Sequence, residues 1–208
     1  MKNIPMFTTE YGVAGLTLQE IPYTGNAFVT VHSASDPDAL IKECREFCVA
    51  VGANRVYACN IALETVALEI WEMVLDERLL PENDVVLSPL TAEILEDFAV
   101  LYNRKMASLP MASYLTKQKS QELLKKGSGF YVYRGNKLQG IGVAEGSKIE
   151  AVASVTPGGG ENVVKALCGH LQYPASLEVA SVNHKAITLY ESLGFRKTKL
   201  RNIWYEIL

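Results

Sequence analysis

No run of apolar residues in the sequence reaches the roughly 20 needed to span a bilayer as a helix. The first residues, MKNIPMFTTEYG, lack the charged-then-apolar pattern of a secretory leader, so the expected location is cytoplasmic. Cysteine is scarce. Cys44, Cys48, Cys59 and Cys168 form no C-x-x-C pair and no zinc-ligand spacing. Cys44 and Cys48 share a helical face with Leu40 and Phe47, which predicts buried free thiols rather than a redox or metal site. Basic residues are not in excess: 20 Lys and Arg stand against 23 Asp and Glu, a net charge of −3. General affinity for nucleic acid needs a basic face, so no nucleic-acid partner is expected, and no membrane partner either.

What remains is a globular chain. With 208 residues, 49% of them hydrophobic, it can bury a sizeable core without disulfides or metals. Leu16 to Val31 reads as two short strands with Pro22, Gly25 and Asn26 in the turn between them. Ser35-Asp36-Pro37-Asp38 starts a helix: a capping side chain, a first-turn proline and acid at the positive end of the dipole. Leu40, Ile41, Cys44, Phe47, Cys48 and Val51 continue it at helical spacing, and Gly52 ends it. Arg55 to Asn60 and Ala67 to Leu75 read as strands. Leu80-Pro81-Glu82-Asn83-Asp84 is polar and carries proline, so the expected division is an N-terminal α/β extension over 1–84 and a second domain over 85–208.

After residue 84 the pattern predicts a strand from Val85, a helix opened by Ser88-Pro89, and a helix over Thr116 to Lys126. Three meander strands follow, Gly129 to Tyr133, Leu138 to Ala144 and Lys148 to Val155, the first two joined at Arg134-Gly135-Asn136-Lys137. Then come a helix bearing Val163, Val164, Leu167, Cys168 and Leu171 on one face, a strand over Leu177 to Ala180, a helix from His184 to Leu193, and a last strand from Lys197. This order mixes antiparallel and crossover pairing, the mark of an α/β or α+β mixed sheet.

Two segments carry chemistry. Val155-Thr156-Pro157-Gly158-Gly159-Gly160-Glu161-Asn162 joins a strand to a helix. Its glycines let backbone amides converge at a helix start, which favours phosphate; the plain alternative is a flexible connection. Asn183-His184-Lys185-Ala186-Ile187-Thr188-Leu189-Tyr190-Glu191-Ser192-Leu193-Gly194-Phe195 follows a short strand. Taken singly, Asn183 reads as a helix cap and Tyr190 as a core aromatic.

Taken together, N-x-x-A-x-x-L-Y-x-x-L-G-F after a short strand resembles the end of the GNAT acetyltransferase superfamily. The meander, the glycine turn and this motif occur there in the same order, so the resemblance covers about residues 85–208. It implies a GNAT-like acyl-CoA N-acyltransferase fold with acetyl-CoA as co-substrate and no metal. It places Asn183 near the pantetheine arm. Tyr190 falls by the thioester sulfur as a proton donor to the thiolate. Val155 N–H polarises the thioester carbonyl, and the backbone of Gly159, Gly160, Glu161, Asn162, Val163 and Val164 cradles the pyrophosphate. Against the family turn Q/R-x-x-G-x-G/A, aligned through Leu167 and Leu171, this chain has Gly159, Asn162 and Val164 at the three defining positions. The family's general base is matched by Glu150, whose plain alternative is a solvent-facing strand residue.

The function expected from the resemblance is transfer of an acetyl group from acetyl-CoA to a primary amine of a small-molecule or peptide acceptor. The alternative, supported by the altered turn, is a catalytically weak or inactive CoA-binding or regulatory module. Residues 1–84 are expected to be a degenerate GNAT-like half or a cap over the acceptor site, and a homodimer is left open.

Overall fold

The structure, a computed structural model, describes residues 5–109 and 111–208. In chain order the elements are β1 (Met6–Thr9), β2 (Gly12–Thr17), α1 (Ile21–Thr24), β3 (Asn26–Ala34), α2 (Pro37–Ala50), β4 (Arg55–Cys59), β5 (Leu68–Leu75), β6 (Val85–Pro89), α3 (Leu95–Met106), α4 (Lys117–Lys126), β7 (Gly129–Arg134), β8 (Lys137–Glu145), β9 (Lys148–Ser154), α5 (Gly159–His170), β10 (Ala175–Ala180), α6 (His184–Ser192) and β11 (Arg196–Glu206). The mixed α/β class is as the sequence predicts. Two compact units emerge, Met1–Ile70 with Leu200–Leu208, and Trp71–Lys199.

The compact units meet in sequence at Ile70 and Trp71, and the proline-bearing segment at 80–84 lies within the second. That segment is fastened within the second unit. Arg134 pairs with Glu82 at 2.5 Å and Asp84 at 2.9 Å, Gly135 N–H donates to the Asp84 carbonyl, and Leu79 N–H donates to the Tyr173 hydroxyl. A proline-marked turn reads like a linker in sequence, but these contacts make it part of a core edge.

In the first unit β1, β2 and β3 form an antiparallel meander, and α2 crosses over to β4, which lies parallel to β3. The end of β11 pairs antiparallel with β4 through Tyr205↔Ala58 and Glu206↔Tyr57. Asp36 caps α2, its carboxylate accepting from Ala39 N–H at 3.0 Å, with Pro37 in the first turn. Leu40, Cys44 and Cys48 then bury one helical face against Ala14, Leu16, Val29 and Val56. Burial pushes both thiols up to about 11, so they stay neutral. The four cysteines are free and buried. The turn around Pro22 and Gly25 holds the short helix α1, and Met6–Thr9 adds a strand that its apolar pattern alone does not reveal.

In the second unit β6, β7, β8 and β9 are antiparallel neighbours, and α5 crosses over to β10, parallel to β9. Ser88 and Pro89 pair with Tyr131 and Phe130 as the end of β6, rather than opening a helix. Proline is tolerated there because β6 is the unit's last strand. Two cores lie on opposite faces. α5 and α6 cover one, with Phe130, Val132, Ile149, Leu177 and Val179; α3 and α4 cover the other, with Tyr131, Ile141, Val143 and Ala153. α5 approaches β8 so closely that a Cβ on Gly142 would lie 2.5 Å from Leu167 Cδ1. Glu150 is a bulge: Ala144 faces Ile149 while Val143 faces Ala151. The extra residue shifts the period of β9, so Ile149 and then Val152 face α5 while Ala151 and Ala153 face the other core.

Candidate active site

β9 and β10 part company. Their parallel register covers Lys148↔Ser176 and Ile149↔Leu177 only, the first residues of each strand. Beyond Ile149, β9 keeps its partner β8 but has no ladder with β10. Both strands run on to helix starts, β9 to α5 and β10 to α6. An opening between parallel strands at their C-terminal ends is where α/β sheets admit ligands.

The turn from β9 into α5 is held from below. Gln139, on β8 and 7% exposed, accepts at its carbonyl from Val155 N–H at 2.9 Å. Its side-chain Oε1 accepts from Thr156 Oγ1 at 3.3 Å and from Asn162 Nδ2 at 3.1 Å, and its Nε2 donates to the Lys137 carbonyl at 3.1 Å. Ser154 Oγ donates to the Thr156 carbonyl at 2.7 Å, and Gly159 N–H to the same oxygen at 3.0 Å. A Cβ on Gly159 would sit 2.5 Å from Thr156 Oγ1 and 2.7 Å from the Gln139 carbonyl oxygen, so no side chain fits. Gly158 caps α5 at φ 74°, with no side chain accepting from the first turn and nothing within 4 Å of where its Cβ would be. With Gly159 N–H spent on Thr156, the Gly160 and Glu161 amides at the positive end of the dipole are left without a side-chain cap. Glu161 does not spoil this, since its carboxylate pairs with Lys165 at 2.5 Å one turn along.

α6 completes the opening. A Cβ on Gly160 would lie 3.1 Å from Leu189 Cδ2 and 3.9 Å from Ser154 Cβ, so the end of β9, the start of α5 and α6 meet at that point. Asn183 caps α6, its Oδ1 accepting from Ala186 N–H at 3.3 Å, while its Nδ2 donates to none of the described residues. Tyr190 is 8% exposed and packs on Phe195 with ring centroids 5.9 Å apart. Its hydroxyl bonds to none of the described residues, and burial pushes its pKa up to about 12. It is a protonated phenol at neutral pH with its donor unspent.

Of the residues singled out from sequence, Gly159, Gly160, Glu161 and Asn162 form the turn, and Asn183 and Tyr190 belong to α6 beside it. Val163 and Val164 are fully buried among Leu167 and Leu177, so their side chains point away from the turn's open side. Val155 stands differently from the expectation: its N–H is taken by Gln139 in the sheet ladder. Bonded and outward amides alternate along an antiparallel strand, so the N–H groups of Val152 and Ser154 face the side where β10 has parted. Glu150 is exposed at the bulge where the β9–β10 ladder ends, on the side of Lys126. Gln139 escapes a motif search, and its one signal is a lone amide in the apolar run LQGIGVA. Among the described residues no group of three or more His, Cys, Asp or Glu is arranged to hold a metal, and no helix is long and apolar enough to cross a membrane.

No protein-family model matches the sequence, and no curated protein matches it significantly. Solved structures do. The chain is similar to a GCN5-related N-acetyltransferase from Sphaerobacter thermophilus, with TM-score 0.59 and 12% identity over 93% of this chain and 75% of that one. A conserved protein of unknown function from Staphylococcus epidermidis superposes with TM-score 0.60 and 11% identity over 99% and 94%. A tandem GNAT protein from the clavulanic acid biosynthesis pathway does so with TM-score 0.53 and 13% identity over 94% and 78%. Identities this low carry architecture and not substrate. With the meander, the crossover through α5 and the parted strands β9 and β10, they establish that the fold of this chain is that of the GCN5-related N-acetyltransferase superfamily.

Proposed function

We propose that the chain binds acetyl-CoA in the opening between β9 and β10 and transfers the acetyl group to a primary amine of a small-molecule or peptide acceptor. The observation that carries this reading is an uncapped helix start beside α6, the helix that bears a buried phenol with its donor unspent. The residues fit the co-substrate. The uncapped Gly160 and Glu161 amides of α5 are available to a diphosphate, and Asn183 Nδ2 to a pantetheine amide. When bound, acetyl-CoA supplies an activated thioester.

The chain's own part follows from placement. The outward N–H groups of Val152 and Ser154 take the oxyanion role that the ladder denies to Val155. The acceptor amine, deprotonated by Glu150 or through water, forms the new C–N bond as the C–S bond breaks, and Tyr190 gives its proton to the departing sulfur. A phenol raised to about 12 by burial is a weak acid for an ordinary thiol, so the transfer relies on a thiolate that is itself desolvated as it leaves.

The engagement of Val155 N–H favours one second reading, a module that holds CoA without chemistry. Two measurements separate them. Acetyl-CoA at a hundred times its Kd should stabilise the fold by about 2.7 kcal/mol in thermal unfolding. Thiol release across a panel of amines should then exceed the rate without protein. Stabilisation without release selects the module, and neither effect removes both readings. The first unit we read as a GNAT-like half that carries no CoA site.

A further inference from the structure

We propose that Gln139 is the positioning residue of the diphosphate turn, holding it from β8. Three contacts converge on it from the turn: Val155 N–H on its carbonyl, and Thr156 Oγ1 and Asn162 Nδ2 on its Oε1. Its Nε2 bond to the Lys137 carbonyl fixes the side chain's orientation, so Oε1 rather than Nε2 faces the turn. The arrangement explains the residues at the turn as a set. Gly159 must be glycine because the Gln139 carbonyl and Thr156 occupy the place of its side chain. Asn162 is asparagine because it donates to Gln139 from the first turn of α5. This buried amide is costly to replace with an apolar group, since Thr156 Oγ1, Asn162 Nδ2 and the Lys137 carbonyl each lose a partner. Gln139 touches no substrate in this account. It sets the angle at which β9 delivers the first amides of α5.

The inference rests on CoA binding at that turn, and its test separates the two. Affinities of wild type and Gln139→Leu are measured for CoA, for inorganic pyrophosphate as a competitor of CoA, and for pantetheine, which lacks the diphosphate. Gln139→Leu is expected to weaken CoA and pyrophosphate by about tenfold each, the scale of a lost positioned hydrogen bond, and to leave pantetheine unchanged. A loss spread equally over all three ligands means a general structural role and overturns the proposal, as does unchanged affinity for CoA. If wild type binds no CoA at all, the underlying reading fails and this one with it. Should Gln139→Leu not fold, Thr156→Val and Asn162→Ala each remove one contact to Oε1. Both are expected to show the same selective loss, and unchanged pyrophosphate affinity in both overturns the proposal.

Discussion

β3, α2 and β4 in the first unit follow one another as β9, α5 and β10 do in the second, each a strand, a crossover helix and a parallel strand reached from an antiparallel meander. In the first unit the parallel strands stay paired from Asn26↔Arg55 to Thr30↔Cys59, the whole of β4. In the second they pair at two positions and separate. The helix starts differ in the same sense. α2 has its first-turn amide taken by the Asp36 carboxylate with Asp38 alongside, an arrangement that repels an added anion. α5 begins on Gly158 with no side-chain cap. One topology therefore yields a closed stabilising element or an open ligand site, and the choice lies in a few residues at the strand end.

The largest expected effects test whether the two elements are energetically alike and functionally different. Leu40 on α2 and Leu167 on α5 are both fully buried. Leu40→Ala and Leu167→Ala should each cost about 2–5 kcal/mol in denaturant unfolding. Under conditions where both variants remain folded, Leu167→Ala should weaken CoA binding because it loosens α5 on β8, and Leu40→Ala should not. Equal effects on CoA affinity would break the comparison.

Next in size is Tyr190→Phe. Loss of a general acid should lower kcat by about a hundredfold or more, with CoA affinity nearly unchanged because the ring remains. The first unit has no counterpart: after β4 the chain runs through Asn60 at φ 60° without a helix. An undiminished kcat would remove Tyr190 from the acid role.

How much of this could be read beforehand follows the range of the forces involved. The second unit's elements were legible because helix and strand periods, the Gly135 turn and the Asn183 cap are local signals. Asn183 as a cap and Tyr190 as a core aromatic are legible from local pattern alone, and both are found so. What failed depended on pairing across the sheet. Val155 was assigned an open N–H, but the register with Gln139 closes it. Pro89 looked like a helix opener, but pairing with Phe130 makes it a strand end. Gln139 was invisible because its partners lie 17 and 23 residues away. The hold of Arg134 on Glu82 and Asp84 is likewise invisible in sequence, since the partners lie about 50 residues apart.

Smaller changes exchange the two helix starts. Asp36→Ala removes a cap and should cost about 1 kcal/mol. CoA binding should stay at one per chain, since the paired strands beneath leave no room for a second ligand. Gly158→Asp places a carboxylate at the start of α5, and Asp is among the residues that tolerate positive φ. It should leave stability within about 1 kcal/mol while abolishing the CoA-dependent shift in melting temperature. Calorimetric titration reads both; two bound CoA in Asp36→Ala, or undisturbed binding in Gly158→Asp, would show that caps do not decide which element holds a ligand.

The smallest expected effect is on alkaline stability. Buried thiols in both units are raised from 9.0 to about 11, Cys44 and Cys48 in the first and Cys168 in the second. In the second unit burial also raises the phenols Tyr190 and Tyr131, from 10.0 to about 12. A group held protonated in the folded state and released in the unfolded chain keeps its stabilising contribution below its unfolded pKa and loses it as pH rises through the folded value. The thiol contribution is therefore gone by about pH 11, whereas the phenol contribution declines between pH 10 and about 12. Tyr190→Phe removes one of these raised phenols, so its unfolding free energy should fall less steeply than wild type over that upper range and run parallel to it below pH 9. Tyr131→Phe should do the same without touching turnover, because Tyr131 lies on the opposite face under α3. If Tyr190→Phe left the alkaline slope intact, the phenol would be reachable by water in the free protein, and the desolvation argued for its role as a donor would have to come from the bound substrate instead.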